Sequence, residues 1–92
     1  MDKKIQLYQK AKTSPQSITF SEIKKLAKHF GFQFDRKNGS HEMFKRLDDP
    51  YGFMDFQPRE GDKRMAKIYQ VRQLTSFIDS KNLINDGADN GE

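Results

Sequence analysis

The apolar period of this chain changes at Gly31, and that change limits the folds open to it more than any other feature. Upstream, Phe20, Ile23, Leu26, Ala27 and Phe30 recur at the spacing of one helical face. Thr19 and Glu22 stand where a capping box needs them, each side chain serving a backbone N–H at the helix start. Ile18 and Ile23 have the spacing of a hydrophobic staple. Gly31 suits the left-handed residue that ends a helix, so the pattern predicts a helix over 20–30. Downstream the period is two. Phe32 and Phe34 alternate with Gln33 and Asp35 through Arg36-Lys37, the pattern of a half-buried strand. Asn38-Gly39 offers the two φ > 0 residues of a type I′ hairpin, with a return strand from Ser40 to Leu47.

Asp49-Pro50-Tyr51-Gly52 fits a type I turn, and a third strand is expected from Phe53 to Gln57, ending at Pro58. Arg59 to Arg64 reads as a charged loop. From near Lys67, one more helical face carries Ile68, Val71, Leu74, Phe77 and Ile78. Ahead of all this, residues 3–12 suit a short helix that Ser14-Pro15 must end. The expected organisation is a helical extension and linker over 1–17, one α+β domain over 18–84, and a disordered acidic tail over 85–92. The domain order is α-β-β-β-α, with a three-stranded antiparallel sheet and both helices on one face. Ninety-two residues allow one small domain, and eight Phe and three Tyr give it a core that a disordered chain would lack.

The absence of Cys removes disulfides, thiol nucleophiles and thiolate metal sites. With His29 and His41 the only soft ligands, neither a metal nor another cofactor is expected. Met1-Asp2-Lys3-Lys4-Ile5 leads into no apolar stretch of a signal peptide, and no apolar run approaches the ~20 residues of a membrane span. A soluble, cytoplasmic protein with no membrane contact is the expectation. Charge points to a partner: Asp86, Asp89 and Glu92 fall in the last eight residues, so residues 1–84 hold 17 bases against 10 acids. A basic domain suits a polyanion, of which RNA is one, although a solvated basic face kept for solubility explains the same count.

One segment has chemistry beyond charge: Gly39-Ser40-His41 at a hairpin entry, with Arg36 and Lys37 on one expected strand and Lys45 and Arg46 on its neighbour. RNA carries its own nucleophile, the 2′-OH beside the scissile phosphate. Its cleavage needs a base for that proton and cations for the phosphorane charge. An imidazole, with an ordinary pKa of about 6.5, serves as base or acid near neutrality. Gly39 would let RNA approach closely, and Arg36, Lys37, Lys45 and Arg46 would neutralise phosphates. A lone strand His is nevertheless more often an ordinary surface residue. His29 is explained by the dipole of its helix C-terminus, Asp49 by its turn, and most Phe residues by the core. Phe44 and Tyr51 are the aromatics to examine as base-stacking groups.

The order of these elements resembles the HicA family of toxins from toxin–antitoxin pairs. The residues that carry the likeness are the helix Phe20–Phe30, Gly31-Phe32, the basic strand at Asp35-Arg36-Lys37, the tripeptide Gly39-Ser40-His41, the apolar Met43-Phe44 and the helix Tyr69–Leu83. Ala66-Lys67-Ile68-Tyr69-Gln70-Val71-Arg72-Gln73 is similar to the segment that opens the last helix of longer members. The resemblance spans roughly residues 19–83. It implies a ribosome-independent mRNA interferase with a double-stranded-RNA-binding-like fold, neutralised by a HicB-type antitoxin. It also implies His41 as the catalytic residue, Gly39 and Ser40 as residues shaping its approach, and Lys67 and Arg72 as phosphate contacts. Residues 1–17, the acidic tail and Glu42 depart from the short family pattern. For the leaving-group proton, Tyr69, Lys45 and water all stay open. Two other readings stand beside this one: a non-catalytic RNA-binding domain of the same fold, and a basic protein-interaction module.

Overall fold

The chain forms the predicted second helix because its ends are chemically defined. In a computed structural model, which describes residues 2–84 and only the backbone at 49–51, helix α2 spans Phe20–His29. The Thr19 side chain accepts from the Glu22 N–H, and the Glu22 carboxylate accepts from the Thr19 N–H, both at 3.0 Å. Gly31 takes φ +97° just past the end. Ile23, Leu26 and Ala27 turn inward. Before α2 come helix α1, Lys3–Thr13, capped by the Asp2 side chain, and a single 3₁₀ turn at Pro15–Ser17. After it come strands β1, Phe32–Asn38, β2, His41–Arg46, and β3, Asp49–Phe56, which form one antiparallel sheet in the order β1-β2-β3. A two-stranded ribbon, β4 at Pro58–Arg59 and β5 at Asp62–Ala66, leads to helix α3, Ile68–Ser80. The architecture is α+β.

Strand alternation divides the sheet into two faces. Phe32, Phe44 and Phe56 project to one side and are buried with Ile23, Leu26, Val71, Leu74 and Ile78. Phe44 and Phe56 rings lie 5.6 Å apart, and Phe32 meets Phe77 of α3 edge-on at 5.3 Å. Each such burial contributes on the order of 1.5–3 kcal/mol. The other face carries His41, Met43 and Lys45 of β2, with Phe53 and Asp55 of β3 beside them.

Four expectations are corrected. Asn38 pairs with His41, so the hairpin turn is Gly39-Ser40, and only Gly39 has φ > 0, at +62°. Glycine at the first central position is the type II′ requirement, and Asn38 is released to the strand. The next turn is Leu47-Asp48, and β3 begins at Asp49. Pro50 is compatible with that strand because β3 is a sheet edge. Residues 59–64 form a hairpin around Glu60-Gly61, with Gly61 at φ +87°. Its β5 strand zips onto the segment before α2, with the Ala66 N–H donating to the Ile18 carbonyl at 3.0 Å and Thr19 bridged to Met65. Phe44 is a core residue, 1% exposed, and so offers no stacking surface. The side chain of Tyr51 lies outside the described residues, as does the expected tail over 85–92.

Helix α1 is seated on the other helices. Ala11 is buried, Tyr8 meets Phe30 at 6.1 Å, and Lys10 pairs with Glu22 at 3.0 Å. Asp79 of α3 accepts from both the Tyr8 hydroxyl and Lys12. Burial works to raise the Asp79 carboxyl, but the hydrogen bonds from Lys12 and Tyr8 and the Lys12 charge outweigh it and hold it below its ordinary value. Glu22 is likewise lowered: burial opposes, while the Thr19 N–H and Lys10 prevail. The Tyr8 phenol is pushed up to about 12 by burial first, then by its hydrogen bond to Asp79 and that group's charge.

Candidate functional site

His41 opens β2 on the helix-free face of the sheet, its side chain 40% exposed. Its Nδ1 lies 3.0 and 2.9 Å from the two carboxylate oxygens of Asp55 on the neighbouring strand. A carboxylate only accepts, so the proton is assigned to Nδ1, which leaves the lone pair on Nε2. The Gln57 amide nitrogen lies 3.0 Å from both ring nitrogens. With Nδ1 serving Asp55, the Gln57 N–H is directed to Nε2. The Gln57 carbonyl oxygen accepts from Lys67 Nζ at 2.7 Å. A chain of contacts therefore runs Asp55–His41–Gln57–Lys67, from β3 through β2 to the start of α3.

The end of β3 is itself fixed from α3. Gln70, 4% exposed, accepts from the Gln57 backbone N–H at 2.9 Å through its side-chain oxygen. Beside this cluster is a cleft of about 270 Å³ whose walls include Ser40 at the hairpin tip, Gln57, Lys63 of β5 and Lys67. Arg59 also borders it, but its guanidinium is committed to the Ala66 and Gln16 carbonyls.

The expected site residues thus separate into groups. Ser40 and Lys67 border one cleft, and His41 adjoins it through Gln57, whose side chain touches both the imidazole and Lys67. Gly39 forms the turn that presents them; a Cβ built there would meet nothing within 4 Å, so its glycine serves the backbone conformation and not a close packing contact. Arg36 and Lys45 lie on the same sheet face as His41 and share the Asp35 carboxylate at 2.7 and 3.2 Å. Lys37 pairs in register with Glu42 and falls on the opposite face, exposed at the sheet margin. Arg46 is also on that opposite face, its side chain 12% exposed. It donates to the Phe30 carbonyl, pairs with Asp48 at 3.2 Å and covers the Phe32 ring at 5.8 Å. Arg46 is a strut between β2 and the end of α2, not a cation presented to a ligand. Arg72 lies on α3, on a separate groove beside β3.

Three members of the cluster escaped sequence reasoning. Gln70 did leave a signal, a polar residue within the apolar stripe of α3. Asp55 and Gln57 left none, because what they face depends on the β2–β3 register. Among the described residues, no three His, Asp or Glu side chains converge as a metal site, and no helix is long and apolar enough to cross a membrane. No family model, curated protein or solved structure matches this chain.

Proposed function

We propose that this chain is an endoribonuclease of the HicA type, a ribosome-independent mRNA interferase with a double-stranded-RNA-binding-like fold, held in check by a HicB-type antitoxin. The observation that carries the reading is the half-exposed His41, its Nδ1 anchored on Asp55 and its Nε2 contacted by Gln57, which also lines a cleft bordered by Lys63, Lys67 and Glu60. A base oriented by a carboxylate and set beside cations is the minimum that RNA transesterification requires.

In this mechanism the substrate 2′-OH displaces the Gln57 amide and gives its proton to His41 Nε2. The 2′ oxygen attacks phosphorus and the P–O5′ bond breaks, which yields a 2′,3′-cyclic phosphate and a 5′-OH. Asp55 stabilises the imidazolium that forms and keeps the ring in one tautomer, the role a carboxylate has in other base–orienter pairs. Lys67 and Lys63 offset the charge that accumulates on the phosphorane oxygens, and Lys67 or water supplies the proton for the leaving oxygen. Ser40 offers a hydroxyl to the phosphate from the hairpin tip. The family resemblance supports the same histidine.

The test is RNA cleavage by the parent and by His41→Ala with circular dichroism recorded on both. Cleavage by the parent alone, with unchanged spectra, is expected. Salt-dependent RNA binding with no scission by either protein would replace this reading with a non-catalytic RNA-binding domain.

A further inference from the structure

Beyond the His41 cleft, the groove between the β3 edge and α3 has a composition that the fold does not explain. It is an open groove of about 610 Å³, bordered by Phe53 and Met54 from β3 and by Tyr69, Arg72, Gln73 and Phe77 from α3. Phe53 is 48% and Tyr69 55% exposed, on a chain otherwise rich in charge. Two half-exposed aromatic residues bordering one groove are costly unless something covers them. Among the described residues, Arg72 makes no ion pair and none of those lining the groove is a carboxylate. Aromatic faces and an unneutralised guanidinium suit a ligand that is flat, unsaturated and anionic.

The groove is separate from the cleft beside His41, but β3 and the start of α3 run between the two. Phe53 and Asp55 are i and i+2 on β3, so both side chains stand on the same sheet face about 7 Å apart. On the helix side, the Tyr69 hydroxyl lies 3.5 Å from Nε2 of Gln70, whose other side-chain atom holds the Gln57 backbone. One polyanion can therefore occupy both places.

Resting on the ribonuclease reading, we infer that this groove is a base-stacking subsite, in which an unpaired nucleobase of single-stranded RNA lies between Phe53 and Tyr69 while Arg72 meets a flanking phosphate. Bases inside a duplex are already stacked and cannot enter, so the subsite selects single-stranded substrate.

The test uses the full chain carrying His41→Ala, so that RNA stays intact, and fluorescence anisotropy at fixed salt. The probes are a labelled single-stranded RNA octamer, an abasic ribose-phosphate strand of equal length and charge, and the octamer's duplex. The octamer should bind roughly five- to a hundredfold more tightly than the abasic strand, the range for one stacked base. Phe53→Leu and Tyr69→Leu, which keep apolar bulk but remove the ring, should each erase that difference. Arg72→Gln should weaken binding of octamer and abasic strand alike and lower the salt dependence. Circular dichroism establishes that each variant is folded, and the two walls give independent chances to fail. Equal affinity for the octamer and the abasic strand, or for the octamer and its duplex, would overturn the assignment. So would unchanged octamer affinity in both leucine variants, which would leave the groove to an apolar protein segment along the β3 edge. If His41-dependent cleavage is indifferent to both rings, the subsite falls and the ribonuclease stands. If base-dependent binding is found without cleavage, the subsite stands and the ribonuclease falls.

Discussion

Strand β2 begins with His41 and ends with Arg46, and the two ends use a nitrogenous side chain in opposite ways. Arg46 faces the helices, where its stem packs beside Gly52 and its guanidinium satisfies a helix-end carbonyl. His41 faces solvent, and its partners Asp55 and Gln57 orient it without covering it. Four residues of alternation separate a structural cation from a presented base. The difference teaches that charge type and strand membership do not assign a role; the face and the partners do.

The largest expected effect tests the exposed end. His41→Ala should lower RNA cleavage by roughly 10²–10⁴-fold, the contribution of a positioned base, with a thermal melting curve close to the parent's. A collapse of the melt would mean that both ends of β2 are structural, and the contrast would vanish. At the buried end, Arg46→Ala should cost about 2–4 kcal/mol in urea denaturation, because the Phe30 carbonyl loses a charged donor and the strand loses packing. Arg46→Lys should rescue this only in part, since one ammonium cannot reproduce the fork. An Arg46→Ala protein of normal stability that has lost RNA affinity would instead make Arg46 a phosphate contact. Gly52→Ala should act on the same joint and cost about 1–3 kcal/mol. The new Cβ would lie 2.9–3.1 Å from the Arg46 stem.

Asp55→Asn sharpens the contrast further. It should reduce cleavage roughly tenfold or more by loosening the tautomer and orientation of His41, with little change in stability. Equal rates in parent and Asp55→Asn would show that the carboxylate is a bystander.

The smallest effect lies far from β2, at the α1 clasp. Glu22 and Asp79 have folded-state pKa values below their ordinary ones, so their stabilisation is complete above the ordinary carboxylate range and fades as pH falls below about 4. Asp79 and Lys12 are more than one-third exposed, so screening keeps that contribution under about 1 kcal/mol. Tyr8 has the reverse sign: its contribution is whole below pH 10 and is lost as pH rises through about 12. Hydrogen exchange in α1 should rise at low pH before exchange in the sheet does. Simultaneous loss in both regions would show that α1 is no separate unit of stability.

Helix α2 was legible because its cap, its stripe and its terminal glycine are all local signals. The stripe of α3 was legible for the same reason. The β4–β5 ribbon was hidden because Asp62-Lys63-Arg64 carries no apolar alternation; its place is set by Ala66 and Met65 pairing with the distant Ile18-Thr19 segment. Asn38-Gly39 misleads because Gly39-Ser40 makes an equally good turn, and a shift of one residue changes every pairing after it. The same dependence on register concealed Asp55. His41 itself was visible as a residue in a motif, whereas the carboxylate and carboxamide that orient it belong to a strand whose pairing no local signal encodes.

The most direct test is to incubate the purified full chain with single-stranded RNA in EDTA and to identify the fragment ends. Fragments with a 2′,3′-cyclic phosphate and a 5′-OH, absent with His41→Ala, are the result expected of a base-driven 2′-OH attack. Fragments bearing 3′-OH and 5′-phosphate, equal cleavage by both proteins, or intact RNA from both would contradict the assignment of His41 as the catalytic base.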